Sequence, residues 1–216
     1  MKNSSLRITE IFHSLQGESS FVGLPTTFVR LTGCPLRCVY CDTAYAFEGG
    51  ERYSISDILD QVAKFPAKNL CITGGEPLAQ PACLVLLDEL IQQGYRVSLE
   101  TSGAMDVSQV NPVVTKILDI KTPSSGEQDR NLWSNIPHLS DHDEVKFVIG
   151  TSDDFDWAVS KVIEKDLIAR VKEVLFSPVH GQFELEQFAQ KVLDTGMRIR
   201  MQLQLHKYVW NDAQGK

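Results

Sequence analysis

The chain has 216 residues, a formal net charge of −7 and 23% charged residues, enough length for one domain with a substantial core. That acidic balance argues against a general DNA- or RNA-binding surface, which needs clustered Lys and Arg. No stretch approaches the roughly 18 apolar residues of a membrane span, the first seven residues lack the apolar run of a secretory signal, and five cysteines, three of them bunched, do not make a disulfide framework. The expectation is a cytoplasmic protein of one domain over residues 1–216, with its core over about 8–208.

Residues 7–13 alternate and are rich in β-formers, which predicts a short strand. Leu15-Gln16-Gly17-Glu18 then turns on Gly17; taken alone it is a plain surface turn. Residues 26–32, bounded by Pro25 and Gly33, read as the first barrel strand. Arg30 lies inside it. A mid-strand arginine is usually solvated or salt-bridged, but its place just before a cysteine-rich loop suits bidentate pairing with a substrate carboxylate.

That loop, Gly33-Cys34-Pro35-Leu36-Arg37-Cys38-Val39-Tyr40-Cys41-Asp42-Thr43, spaces three cysteines as C-x3-C-x2-C. A structural zinc site wants four ligands, usually from paired C-x-x-C units, and only Cys38 and Cys41 have that spacing. A dithiol redox pair leaves Cys34 without a role, and three thiols packed this closely are poor core filler. Three short-spaced thiolates fit a [4Fe–4S] cluster with one iron free of protein sulfur, although such clusters more often have four. An open iron points to catalysis rather than electron storage.

Downstream, Ser54 or Ser56 is the candidate N-cap of a helix. Residues 69–73 form a short buried strand that delivers Gly74-Gly75-Glu76-Pro77, whose glycines permit close backbone approach to a ligand. A helix over 81–93 stops at Gly94, and strands follow at 95–101 and 116–121. Strands at 144–150 and 171–176, helices from 152 towards 170 and over 182–195, and a last strand at 198–205 complete the pattern. Cys71 and Cys83 read as core residues. Lys146 and His180 are candidates to line the cavity, although lone residues of these types are more often surface or structural. The alternation predicts an α/β fold with mostly parallel pairing and about six central strands. Polar residues recur at the C-terminal strand ends, where β/α barrels place their active sites.

The cysteine loop, with Tyr40 beside its third cysteine, resembles the signature of radical S-adenosylmethionine (SAM) enzymes. Ser14-Leu15-Gln16-Gly17-Glu18, Phe28-Val29-Arg30-Leu31, Ile72-Thr73-Gly74-Gly75-Glu76-Pro77, Leu99-Glu100-Thr101-Ser102-Gly103 and Gln204-Leu205-His206-Lys207-Tyr208 narrow the resemblance to the 7-carboxy-7-deazaguanine synthase family of the queuosine pathway. It runs from about Ile8 to Tyr208. The resemblance implies a partial, open (β/α)6 TIM-like barrel, a homodimer, and Cys34, Cys38 and Cys41 as ligands of a [4Fe–4S] cluster. It implies SAM held by Tyr40, Cys41, Asp42, Gly74, Gly75, Glu76, Glu100, Thr101, Asp119, Ile120, Lys121 and Ser124, and Mg2+ on Thr43. A pterin substrate would meet Leu15, Gln16, Gly17, Glu18, Arg30, Thr73, Gln204 and His206. The implied reaction is radical ring contraction of 6-carboxy-5,6,7,8-tetrahydropterin with loss of ammonia, started by an electron from a flavodoxin or ferredoxin. Ser19-Ser20 stand where many members carry another glycine. Two rivals are a radical SAM activase of a glycyl-radical enzyme and a zinc-binding adaptor.

Overall fold

The computed structural model describes residues 4–211 and 213–216. Its frame is one nine-stranded sheet in the order β3-β1-β2-β4-β5-β6-β7-β8-β9. The strands are β1 (Ser5–Leu15), β2 (Pro25–Leu31), β3 (Glu51–Ser54), β4 (Asn69–Gly74), β5 (Arg96–Thr101), β6 (Thr115–Ile120), β7 (Glu144–Ile149), β8 (Glu173–Pro178) and β9 (Ile199–Met201). From β2 to β9 every pairing is parallel. β1 runs antiparallel to both β2 and β3. The parallel part has seven strands rather than about six, and β3 and β9 are free edges, so the sheet is an open, partial barrel. The antiparallel pair at one edge is locked by Phe12 stacked on Phe28, 4.8 Å between centroids and directly opposite in register.

The helices on the outer side of the sheet are α1 (Ile55–Val62), α2 (Ala82–Gln92), α3 (Ser152–Glu164), α4 (Leu167–Arg170) and α5 (Leu185–Asp194), while α6 (Leu205–Trp210) follows β9 at the mouth of the cavity described below. Ser54, not Ser56, caps α1 through a reciprocal capping box with Asp57. Thr151 does the same for α3 with Asp154. The single helix expected from 152 towards 170 is two, because Asp166 adopts a left-handed conformation (φ 50°) between α3 and α4. Between β6 and β7 only 3-10 turns occur, at Pro123–Ser125, Gln128–Arg130 and Trp133–His138.

The strand expected at 198–205 is also two elements. β9 ends at Met201, and the next side chain, Gln202, turns in to exchange two hydrogen bonds with the Ser19 backbone (2.8 and 2.9 Å). The chain then enters α6, where the Leu205 amide donates to the Gly17 carbonyl at 3.0 Å. Alternate strand residues such as Val29, Ile72, Leu99, Leu118, Val145 and Phe147 point outward and bury against α1, α2, α3 and α5. An edge-to-face series, Phe147–Phe176–Phe155–Phe188, runs through that layer with centroids 5.3–5.7 Å apart. Cys71 and Cys83 are buried, as expected. Among the described residues, no helix is long and apolar enough to cross a membrane.

Candidate active site

The other set of alternate residues faces inward. Arg30 on β2, Thr73 on β4, Glu100 on β5, Asp119 on β6 and Lys146 on β7 form a polar ring from five neighbouring strands around a cavity of about 540 Å³. The turn after β1, the cysteine loop after β2 and the 204–207 segment close its rim. This places the polar groups at or near the C-terminal ends of the parallel strands, the catalytic end of a β/α barrel.

Cys34, Cys38 and Cys41 are half-buried on the cavity wall, and all are free thiols. Among the described residues, no three His, Cys, Asp or Glu side chains converge as they would around a single metal ion. Three free thiols on one short loop are the donor type an iron–sulfur cluster takes. Burial pushes all three thiols up, Cys38 to about 11, with the Lys121 ammonium working against it. Iron binding must displace those protons.

Three hydrogen bonds hold the loop to the segment after β6, and a fourth reaches β7. The Val39 amide donates to the Ser125 carbonyl (3.0 Å) and the Arg37 amide to Glu127 Oε1 (2.5 Å). Tyr40 Oη meets Thr122 Oγ1 at 3.0 Å and donates to the Val148 carbonyl at 3.1 Å. The Gly74-Gly75-Glu76 turn supports the loop from the other side. A Cβ on Gly75 would lie 2.3 Å from the Gly33 carbonyl oxygen and 2.8 Å from Cys34 Cβ, so only glycine fits.

On the wall nearest the cysteines, Lys121 Nζ pairs with Asp119 Oδ2 at 3.1 Å. Asp119 Oδ1 is buried without a hydrogen-bond partner. An orphaned acceptor beside the cysteine loop is what a donor-bearing cofactor such as SAM would satisfy, since a buried polar atom left unpaired is costly. Asp42 and Thr43 lie at the rim, with Thr43 Oγ1 donating to Asp42 Oδ1 (2.8 Å). Burial works to raise the Asp42 carboxyl, but this bond and nearby Lys207 and Lys146 hold it below the usual range. Adjacent hard oxygens are the donor type magnesium takes.

The opposite wall is built from the turn after β1. Gln16 Nε2 donates to Glu100 Oε1 (3.2 Å), and Thr73 Oγ1 donates to Glu100 Oε2 (3.3 Å). Burial raises the Glu100 carboxyl. Glu18 accepts from Lys146 and, at 2.9 Å, from Gln204 Nε2. Arg30 is fixed by a 2.7 Å bond from Nε to Glu10, with Phe12 and Tyr45 against its guanidinium at 5.7 and 5.9 Å. Ser19, in the place noted for glycine, holds a left-handed φ of 64°. Its two bonds to Gln202 offset that strain.

The predicted site residues line this one cavity except for three. Glu76 lies behind the wall: its carboxylate is fully buried and accepts from the Leu78 amide, the Thr101 hydroxyl, and the Ser102 amide and hydroxyl. Ile120 points outward into the core. Ser124 gives its amide (2.9 Å) and hydroxyl to Asp154, which ties the segment after β6 to the start of α3. Glu100, expected on the SAM side, instead bonds to Gln16 and Thr73. Lys146 and His180 line the cavity after all. The tail beyond Trp210 also reaches it, through Lys216.

The sequence pattern of the Radical SAM superfamily matches residues 28–118, the part carrying the cysteine loop. A 7-carboxy-7-deazaguanine synthase from Chlorobaculum tepidum is 43% identical over 214 residues, covering 97% of this chain and 97% of its own. One from Koribacter versatilis is 40% identical, covering 95% and 97%. The chain belongs to the 7-carboxy-7-deazaguanine synthase family. A solved relative, QueE from Escherichia coli, superposes with a TM-score of 0.76 at 25% identity over 92% of this chain and 94% of that one. Membership in this radical SAM family brings with it a [4Fe–4S] cluster and SAM, and it disfavours both the glycyl-radical activase and the zinc adaptor.

Proposed function

We propose that this synthase-family chain converts 6-carboxy-5,6,7,8-tetrahydropterin to 7-carboxy-7-deazaguanine with loss of ammonia, in queuosine biosynthesis. The observation that carries the reading is the five-strand polar ring facing the three cysteines across one cavity. Such a volume suits a small heterocycle beside a nucleoside cofactor. Cys34, Cys38 and Cys41 would hold the cluster, and Asp119, Lys121, Tyr40 and the Gly74-Gly75 backbone would hold SAM. When bound, these groups supply the carbon-centred radical that removes a hydrogen atom from the pterin.

The chain's own residues bind, orient and exclude water. Arg30, already oriented by Glu10, is set to pair with the pterin carboxylate. Gln16, Glu18, Thr73 and Glu100 offer both donors and acceptors to the edges of the pyrimidinone ring, and His206 packs on Gly17 at the rim. Thr43 would ligate a Mg2+ ion that also takes substrate oxygens and water. The reading further takes in a single domain over the whole chain, a homodimer, the cytoplasm, and a flavodoxin or ferredoxin as electron donor.

The test is anaerobic turnover of the tetrahydropterin by cluster-reconstituted protein, with and without Mg2+. The expected result is SAM-dependent formation of 7-carboxy-7-deazaguanine, faster with Mg2+. Binding of the pterin without any ring-contracted product would sink the proposal.

A further inference from the structure

Lys146 stands between the two walls of the cavity. β6 and β7 pair in parallel with Asp119 directly opposite Lys146, so the lysine reaches Asp119 Oδ2 at 3.4 Å. It also pairs with Glu18, from the turn after β1. One buried ammonium is therefore shared by a carboxylate of the SAM wall and a carboxylate of the pterin wall. Asp119 is further tied to Lys121, Glu18 to Gln204, and Glu100 lies close enough to Lys146 to attract it. The result is one chain of alternating charge, Lys121–Asp119–Lys146–Glu18, across the cavity.

Stability does not account for this arrangement. A buried ion cluster is commonly no more stable than well-packed apolar residues of similar volume, and β7 is otherwise Val, Phe, Val and Ile after Glu144. We propose that Lys146 is a positioning residue that couples the occupancy of the two walls, making the binding of SAM and of the pterin mutually dependent. The inference rests on the proposed function and deepens it. A donor arriving at the orphaned Asp119 Oδ1 stabilises that carboxylate and lets the shared ammonium engage Glu18 more fully. Glu18 is then fixed for the pterin, and the second ligand meets a site already ordered. Thermodynamic reciprocity requires the pterin to tighten SAM by the same factor.

The experiment measures SAM affinity by anaerobic equilibrium dialysis on cluster-reconstituted protein. No reductant is added, so neither ligand is consumed, and the pterin is either absent or saturating. For the wild type, the pterin should tighten SAM about tenfold, within the usual range of coupling between sites. Lys146→Met should reduce that factor to about twofold or less, whatever it does to either affinity alone, while Lys146→Arg should keep most of it. Because Lys146→Met leaves Glu18 without its cation while Asp119 keeps Lys121, the double variant Glu18→Gln/Lys146→Met is the second arm, and it should lack the coupling too. A wild type that binds both ligands independently, or a factor that survives in Lys146→Met and in the double variant, overturns the inference and leaves the proposed function standing. A wild type that binds SAM but no pterin overturns both.

Discussion

Glu76 gives the sharpest test of how this site is built, because two roles for it predict opposite results. As a SAM ligand it would face the cavity; in the structure it is a buried clamp. Oε1 accepts from the Leu78 amide and Thr101 Oγ1, both at 2.9 Å, while Oε2 accepts from the Ser102 amide at 2.7 Å and Ser102 Oγ at 2.5 Å. Glu76→Gln keeps the shape but turns one acceptor into a donor. If the retained oxygen faces Ser102, the new amino group confronts the Leu78 N–H, and Thr101 must rotate its hydroxyl. One buried N–H is then unpaired, at about 1–3 kcal/mol, and the remaining bonds lose their charge assistance, so about 2–4 kcal/mol in all is expected. For a chain of this size that is roughly a 4–16 °C fall in Tm. The assay is paired: thermal unfolding of the variant, and SAM affinity measured well below its Tm. A large fall in Tm with nearly unchanged SAM affinity supports the clamp. An unchanged Tm with SAM binding lost would refute it.

Three further outcomes follow from the same geometry. A Cβ at Gly17 would lie 2.2 Å from His206 Nδ1 and 3.1 Å from its Cβ, so Gly17→Ala must displace the start of α6; a shift near 1 Å costs on the order of 100-fold in rate, read as kcat/KM beside a Tm lowered by only a few degrees. Burial raises the Glu100 carboxyl above its ordinary 4.5, so in that window the folded state holds a proton that the unfolded state has released. This contribution is fully present below pH 4.5 and is lost as pH rises through the raised value; the stability of wild type relative to Glu100→Gln, from denaturant melts across pH, should fall over that range, and a flat difference would contradict the assignment. Cys38→Ala should lose cluster iron and sulfide on reconstitution together with all turnover, whereas Arg30→Ala should keep the iron and lose at least about 100-fold in kcat/KM; full turnover by Cys38→Ala would end the cluster assignment.

The parallel strands were legible because most alternate, or run apolar, between turn residues, and the cysteine spacing carries its chemistry on its face. Elements failed where a single side chain decided the backbone. Asp166 in its left-handed conformation splits α3 from α4, and nothing in the apolar periodicity of 152–170 marks that position. Gln202 ends β9 by bonding to Ser19, a contact 183 residues away in sequence that no local pattern encodes. The buried place of Glu76 was hidden for a related reason: its motif sits at the right strand end, yet partners that occupy its carboxylate come from β5 and the residue just after that strand.

Lys146 shows what signal was there to be used. A parallel strand covered on both faces reads as a nearly continuous apolar run, so a lysine within Val145-Lys146-Phe147-Val148-Ile149 is an anomaly rather than a surface residue. Asp119 in Ile117-Leu118-Asp119-Ile120, Glu100 after Leu99 and Arg30 after Val29 break the pattern in the same way. Because side chains alternate along a strand, each break lies on the face opposite the outward core residues, and parallel register then gathers them into one ring. A charge inside an apolar central strand is tolerated only where other strands supply its partners, so the isolated misfits had to meet one another. The cavity's polar ring could have been assembled from those misfits alone, before any motif was matched.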